Sequence, residues 1–106
     1  MSKAFEDKTI EYLKKYIEVA YEVKKIINGI DSNAKLYVFG SVVRGRYTAA
    51  SDIDILVVTE RIGERYMMMV EVYKKVKAPV ELHVVTPEKF VGWYKRFIKP
   101  DEIVEI

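Results

Sequence analysis

The chain has 106 residues, half of them hydrophobic and 32% charged, with 18 Lys and Arg against 16 Asp and Glu. This is globular composition, expected as one domain over residues 1–106, and so even a charge balance gives no electrostatic reason to bind nucleic acid. With no cysteine and one histidine, disulfides, thiol catalysis and multi-histidine zinc sites are excluded; no apolar run reaches the ~20 residues of a membrane span, and no apolar signal segment is visible, so a cytoplasmic location is expected.

Residues 2–30 are expected as one long helix. Leu13, Ile17, Ala20, Val23 or Lys24, and Ile27 recur at the spacing of a buried stripe, and Asn28-Gly29 ends it, glycine suiting a left-handed cap. A turn at 31–33 leads into a strand at 35–39. Residues 42–46 are expected as a short helix and 47–51 as a loop. The run 53–58, apolar but for Asp54, reads as a strand covered on both faces. A second helix is expected over 60–77, with Ile62, Tyr66, Met69 or Val70, Tyr73 and Val76 facing inward, broken by Ala78-Pro79. The third strand, 80–85, sets Val80, Leu82 and Val84 against Glu81, His83 and Val85. Thr86-Pro87 opens a last helix over 87–99, which Pro100 stops. This order predicts an α/β (α+β) fold, helices packed against a small sheet.

The informative segment is GSVVRGRYTAASDIDILVV, residues 40–58. Asp52 and Asp54, two apart at the opening of a strand, point to one face. Paired carboxylates repel unless a cation or proton intervenes, and carboxylates beside a phosphate-bearing substrate are the usual holders of Mg²⁺. Gly40-Ser41 lies between a strand and an expected helix, where glycine admits a close ligand and amides with a hydroxyl suit phosphate. Arg44, one turn on, can reach the same anion. Glu81, a charge in an apolar strand, is the candidate third acid. Taken singly, each piece has a plain structural reading: a turn-capping acid, an ordinary strand–helix turn, an edge-strand acid.

Several residues stay open between two roles. His83 either orients a substrate or acid, or is a polar histidine on the sheet face. Met67, Met68 and Met69 are core filler or an adaptable surface, and Tyr47 stacks on a base or is a loop aromatic. Phe90, Tyr94 and Phe97 form an apolar stripe, broadened by Val91, Trp93 and Ile98, that docks the last helix and leaves surface for a protein partner.

Together these motifs resemble the nucleotidyltransferase superfamily of DNA polymerase beta, and most closely its minimal nucleotidyltransferases, over about residues 36–85. The resemblance implies the polymerase beta-like fold, with a small mixed β-sheet packed against helices. It implies AMP transfer from ATP, with release of pyrophosphate, to a hydroxyl. Minimal nucleotidyltransferases are commonly the antitoxin partners of helical HEPN toxins, and some modify a tyrosine of that partner. By the same resemblance Gly40 and Ser41 hold the β- and γ-phosphates with Arg44 assisting. Asp52 and Asp54 bind two Mg²⁺, and Glu81 takes the third acid position, where aspartate is more familiar. The alternative is a module of the same fold that neutralises its partner by contact and transfers nothing. Transfer to a small molecule is a third reading, disfavoured because 106 residues leave no room for an acceptor domain. Nucleic acid and membrane are not expected partners.

Overall fold

A computed structural model describes residues 3–106, so Ser2, the expected start of the first helix, lies outside the described residues. The N-terminal part forms two helices, α1 (Lys3–Lys14) and α2 (Tyr16–Ile30), rather than one. The break falls at Lys15, whose φ of −103° and ψ of 32° leave the helical region. It shifts the phase of α2: Tyr16, Val19, Ala20, Val23 and Ile27 pack into the core, whereas Ile17 stays partly exposed. The expected glycine cap is also absent. Gly29 is helical, the helix ends into an extended Asp31, and the Asn28 amide donates to the carbonyls of Asp31 and Ala34 at 3.1 and 3.3 Å.

Three strands fall on the expected residues: β1 (Lys35–Phe39), β2 (Ile53–Val58) and β3 (Val80–Val85). A fourth, β4 (Ile103–Glu105), has only three residues, too few to show alternation in sequence. The sheet order is β3-β2-β1-β4. β1 runs antiparallel to β2 and β4, and β2 runs parallel to β3, which makes the sheet mixed. One face carries Leu36, Val38, Ile53, Ile55, Val57, Leu82 and Val84 against the helices. Each such buried side chain contributes about 1.5–3 kcal/mol.

Helix α3 (Arg65–Lys75) is shorter than expected because Ile62–Glu64 forms a 3-10 turn and Val76 is extended. Its buried side is Met68, Val72 and, beyond its end, Val76, with Met69 partly buried; of the expected stripe Val76 faces inward, whereas Ile62, Tyr66, Val70 and Tyr73 are exposed. Both stripes have helical spacing, so periodicity could not choose between them. Tyr73 is placed at the rim, where its hydroxyl accepts the Leu82 N–H at 2.9 Å. The residues expected as a helix over 42–46 form successive hydrogen-bonded turns instead.

The last helical segment covers the second sheet face. It begins as expected, with Thr86 Oγ1 accepting the Lys89 N–H at 3.2 Å and Pro87 in the first turn. It passes from α4 (Pro87–Lys89) through π-helical turns (Phe90–Tyr94) to α5 (Lys95–Phe97), ending two residues before the expected Lys99. A π turn adds a residue and rotates the side chains beyond it by about 100°. Phe90 and Tyr94 therefore pack with Tyr37, Phe39, Leu56, Val58 and Val85, while Phe97 is turned out to solvent. No helix among the described residues is long and apolar enough to cross a membrane.

One buried polar pair joins the helical layer to the sheet. Thr59, after β2, donates its hydroxyl to the buried Asp31 carboxylate, and the Arg61 N–H donates to Thr59 Oγ1 at 3.0 Å. The Thr59 hydroxyl holds the Asp31 carboxyl below its ordinary 3.8 against the opposing effect of burial, with the Asn33 amide and Arg61 charge adding to it. A depressed folded-state pKa stabilises the fold above the ordinary value, and that contribution is lost as pH falls below 3.8 through the folded value. Thr59→Val keeps the shape but leaves Asp31 Oδ2 and the Arg61 amide without their partner, Asp31 Oδ1 keeping only the Asn33 N–H. A loss of about 1.5–3 kcal/mol is expected at neutral pH. Thermal unfolding checks it, and the difference from wild type should shrink below pH 3.8.

Candidate functional site

The site begins where β1 ends. Phe39 pairs with Asp54 in the antiparallel register, and the next residue, Gly40, turns the chain away with φ +87°. A Cβ at Gly40 would lie 2.8 Å from Asp54 Oδ2. Glycine is favoured here on two counts: an added Cβ would push the Asp54 carboxylate aside, and an L side chain at this positive φ is strained. The Gly40 N–H is donated to the Glu102 carbonyl at 3.2 Å, and its carbonyl accepts from the Val43 and Arg44 amides. Gly40 therefore acts by letting the chain pass close to Asp54. Ser41 lies half-buried in the turn. Arg44 reaches Glu102, with 3.5 Å between Nη1 and Oε1.

The acids are brought together by β2 and β3. These strands are parallel, with Asp54 opposite Glu81 and Leu56 opposite His83, and the pairing is anchored by the Ile53 N–H on the Pro79 carbonyl at 2.7 Å. Side chains two apart share a face, so Glu81 and His83 both flank Asp54. His83 Nε2 lies 3.6 Å from Asp54 Oδ1 and 3.8 Å from Glu81 Oε1. One ligand atom from each of the three lies within 4.8 Å of the others. Asp52 is exposed, one residue before β2, and stands outside this group. Of the residues expected at the site, the fold thus gathers Gly40, Asp54 and Glu81 around one point. Ser41 and Arg44 stay in the adjoining turn.

His83 combines both roles considered for it. It is a sheet-face histidine, its ring 5.4 Å from Phe39 and 6.4 Å from Tyr94 between centroids. It also faces two carboxylates. The Asp54 carboxylate raises its pKa above 6.5, burial opposes this, and the Glu81 charge adds to the rise. At 3.6 Å the Asp54 contact is longer than a hydrogen bond, and Nε2 is buried without a partner among the described residues. Glu102 was missed from sequence: it belongs to a 3-10 turn (Pro100–Glu102) whose place beside Gly40 depends on the unexpected β4. Tyr47 packs against the main core, as do Met68 and, in part, Met69.

Two carboxylates and an imidazole around a partly open gap suit a divalent cation. The family pattern described as nucleotidyltransferase domain matches residues 17–105. A solved structure of a candidate nucleotidyltransferase is similar to this chain at 29% identity and a TM-score of 0.59, covering 81% of this chain and 95% of its own. Another, from Sulfolobus solfataricus, shares the fold at 24% identity and a TM-score of 0.60, covering 99% of this chain and 87% of its own. No curated protein matches the chain.

Two outcomes are expected from this geometry. Gly40→Ala should cost about 1–2 kcal/mol of stability from the positive φ alone, and displace Asp54, so metal binding should fall further than unfolding explains. In metal-free protein the imidazole should titrate above 6.5 by NMR, and Asp54→Asn should lower that value. A raised folded-state pKa means the pairing stabilises the fold below 6.5 and the contribution fades as pH rises through the folded value.

Proposed function

The chain belongs to the nucleotidyltransferase domain family, and on that premise we propose that it moves AMP from ATP to a hydroxyl, the acceptor being a tyrosine of a HEPN-type helical partner. The observation that carries the reading is the convergence of Asp54 and Glu81 at adjacent strand ends, against a glycine whose positive φ and missing side chain leave room for the Asp54 carboxylate. Two divalent cations, Mg²⁺ by family resemblance, held by Asp54 and Glu81 with Asp52 joining from the residue before β2, would neutralise the triphosphate and stabilise the attacking and leaving oxygens.

The protein's own residues supply position. The turn after Gly40 receives the β- and γ-phosphates, with the Ser41 hydroxyl as donor and Arg44 close enough to exchange Glu102 for phosphate. The acceptor oxygen forms a bond to the α-phosphorus as the bond to pyrophosphate breaks. Pyrophosphate leaves with that electron pair, and the hydroxyl proton passes to Glu81, whose side chain is 54% exposed and open to an incoming acceptor. A protein acceptor is supported by the surface next to the site. Val91, Trp93 and Phe97 are exposed on the helical segment whose Tyr94 packs beside His83, and Trp93 stacks edge-on with Tyr94 at 4.8 Å. Exposed apolar clusters of this kind mark contact surfaces.

Incubation with α-labelled ATP, a divalent cation and the candidate partner tests the proposal. Label should appear on the partner, vanish in Asp52→Ala and in Asp54→Ala, and persist in Ser41→Ala with a higher KM for ATP. Intact partner binding without label would replace this reading with neutralisation by contact.

A further inference from the structure

The Asp54–Glu81 gap contains a third donor, His83 Nε2. We infer that His83 Nε2 is a ligand of the cation seated there, and that the site thereby selects first-row transition-metal ions such as Mn²⁺ over Mg²⁺. The inference rests on the proposed reading for the presence of a cation, and goes beyond it in naming the ligand and the preference.

Three observations converge. His83 Nε2 is buried and has no hydrogen-bond partner among the described residues. A buried polar atom left unpaired is costly, and such exceptions point to an absent ion or water. Second, Nε2 stands 3.6 Å from one carboxylate oxygen and 3.8 Å from another. Two donors each ~2.1 Å from a shared ion lie about 3.0–3.4 Å apart in octahedral or tetrahedral arrangement, a few tenths of an ångström closer. Third, the imidazole is held in place. Phe39 and Tyr94 pack against the ring, and its strand is locked to β2 through Asp54 opposite Glu81. The donor set is thus preorganised, with one nitrogen and two carboxylates.

Its composition determines the preference. Mg²⁺ favours oxygen ligands and retained water, whereas imidazole nitrogen suits first-row transition metals, of which Mn²⁺ is the weakest binder and the nearest to Mg²⁺ in ligand taste, and so the most demanding case. An all-carboxylate site would lack that discrimination.

The chain has one histidine, which makes the test direct. Tag-free full chain, stripped with chelator and loaded with Mn²⁺, is examined by electron spin-echo envelope modulation, with histidine at natural abundance and labelled with ¹⁵N. The expected result is coupling to a directly bound nitrogen that changes with the label, without need of a variant. In His83→Gln the coupling should be lost. Calorimetry should show Mn²⁺ affinity lower by about 10-fold or more, with Mg²⁺ affinity changed less than about 3-fold. Mn²⁺ binding that depends on Asp54, lost in Asp54→Asn, but shows no nitrogen coupling would overturn the inference. So would failure of Mn²⁺ to bind. Transfer with Mg²⁺ in the absence of coupling would sink this inference and leave the proposed function standing. Coupling without transfer under any cation would do the reverse.

Discussion

The parallel register of β2 and β3 is the constraint on which the site depends. It places Asp54 opposite Glu81 and Leu56 opposite His83, so two carboxylates and an imidazole emerge on one face within reach of a single ion. A slip of one residue would send Glu81 and His83 to the opposite face, into the main core, and bring Leu82 and Val84 out. The hydrophobic effect forbids that slip, because Leu82 and Val84 are packed beneath the helices with Ile55 and Val57. The apolar half of each strand therefore aligns the polar half. Burial on one face sets chemistry on the other.

The second face is shared between packing and function. Near the last helical segment it is filled by Tyr37, Leu56, Val58, Val85, Phe90 and Tyr94. Toward the start of β2 and β3 it opens, and there the acids stand. Phe39 and Tyr94 border both regions and make the aromatic wall for His83. Carboxylates tolerate this position because they are partly exposed, and because a cation or the His83 proton can offset their repulsion. Gly40 closes the arrangement. Its missing side chain is the space that Asp54 Oδ2 uses, and its amide is tied to Glu102.

The site is not assembled from one segment. The Gly40 turn is held by a 3-10 turn far along the chain, through the Glu102 carbonyl and its contact with Arg44. That turn is fixed by β4 pairing with β1, where Ile103 lies opposite Phe39. Displacement of β4 would be felt first at Gly40 and Asp54. The same architecture leaves a cluster of exposed aromatic and aliphatic side chains beside the site. The π turns create it, by rotating Phe97 away from the sheet that Phe90 and Tyr94 cover.

Local pattern was sufficient for the three main strands, the Thr86-Pro87 helix start and the association of Gly40, Asp54 and Glu81. Alternation and near-continuous apolar runs report burial directly, and the placing of Gly40, Asp54 and Glu81 at strand ends follows from where those runs stop and start. Other features needed the folded chain. The break at Lys15 carries no proline or glycine, and its consequence, Tyr16 inward and Ile17 outward, arises from phase alone. In α3 two apolar stripes competed, and the sheet chose Met68 and Val72. The three residues of β4 have no periodicity, so pairing with β1 alone makes them a strand. Residue type and local spacing thus determined which groups this protein could use for chemistry. Which of them meet was decided by long-range strand register, because distances such as that from His83 to Asp54 arise between segments whose separation in sequence carries no information about their separation in space.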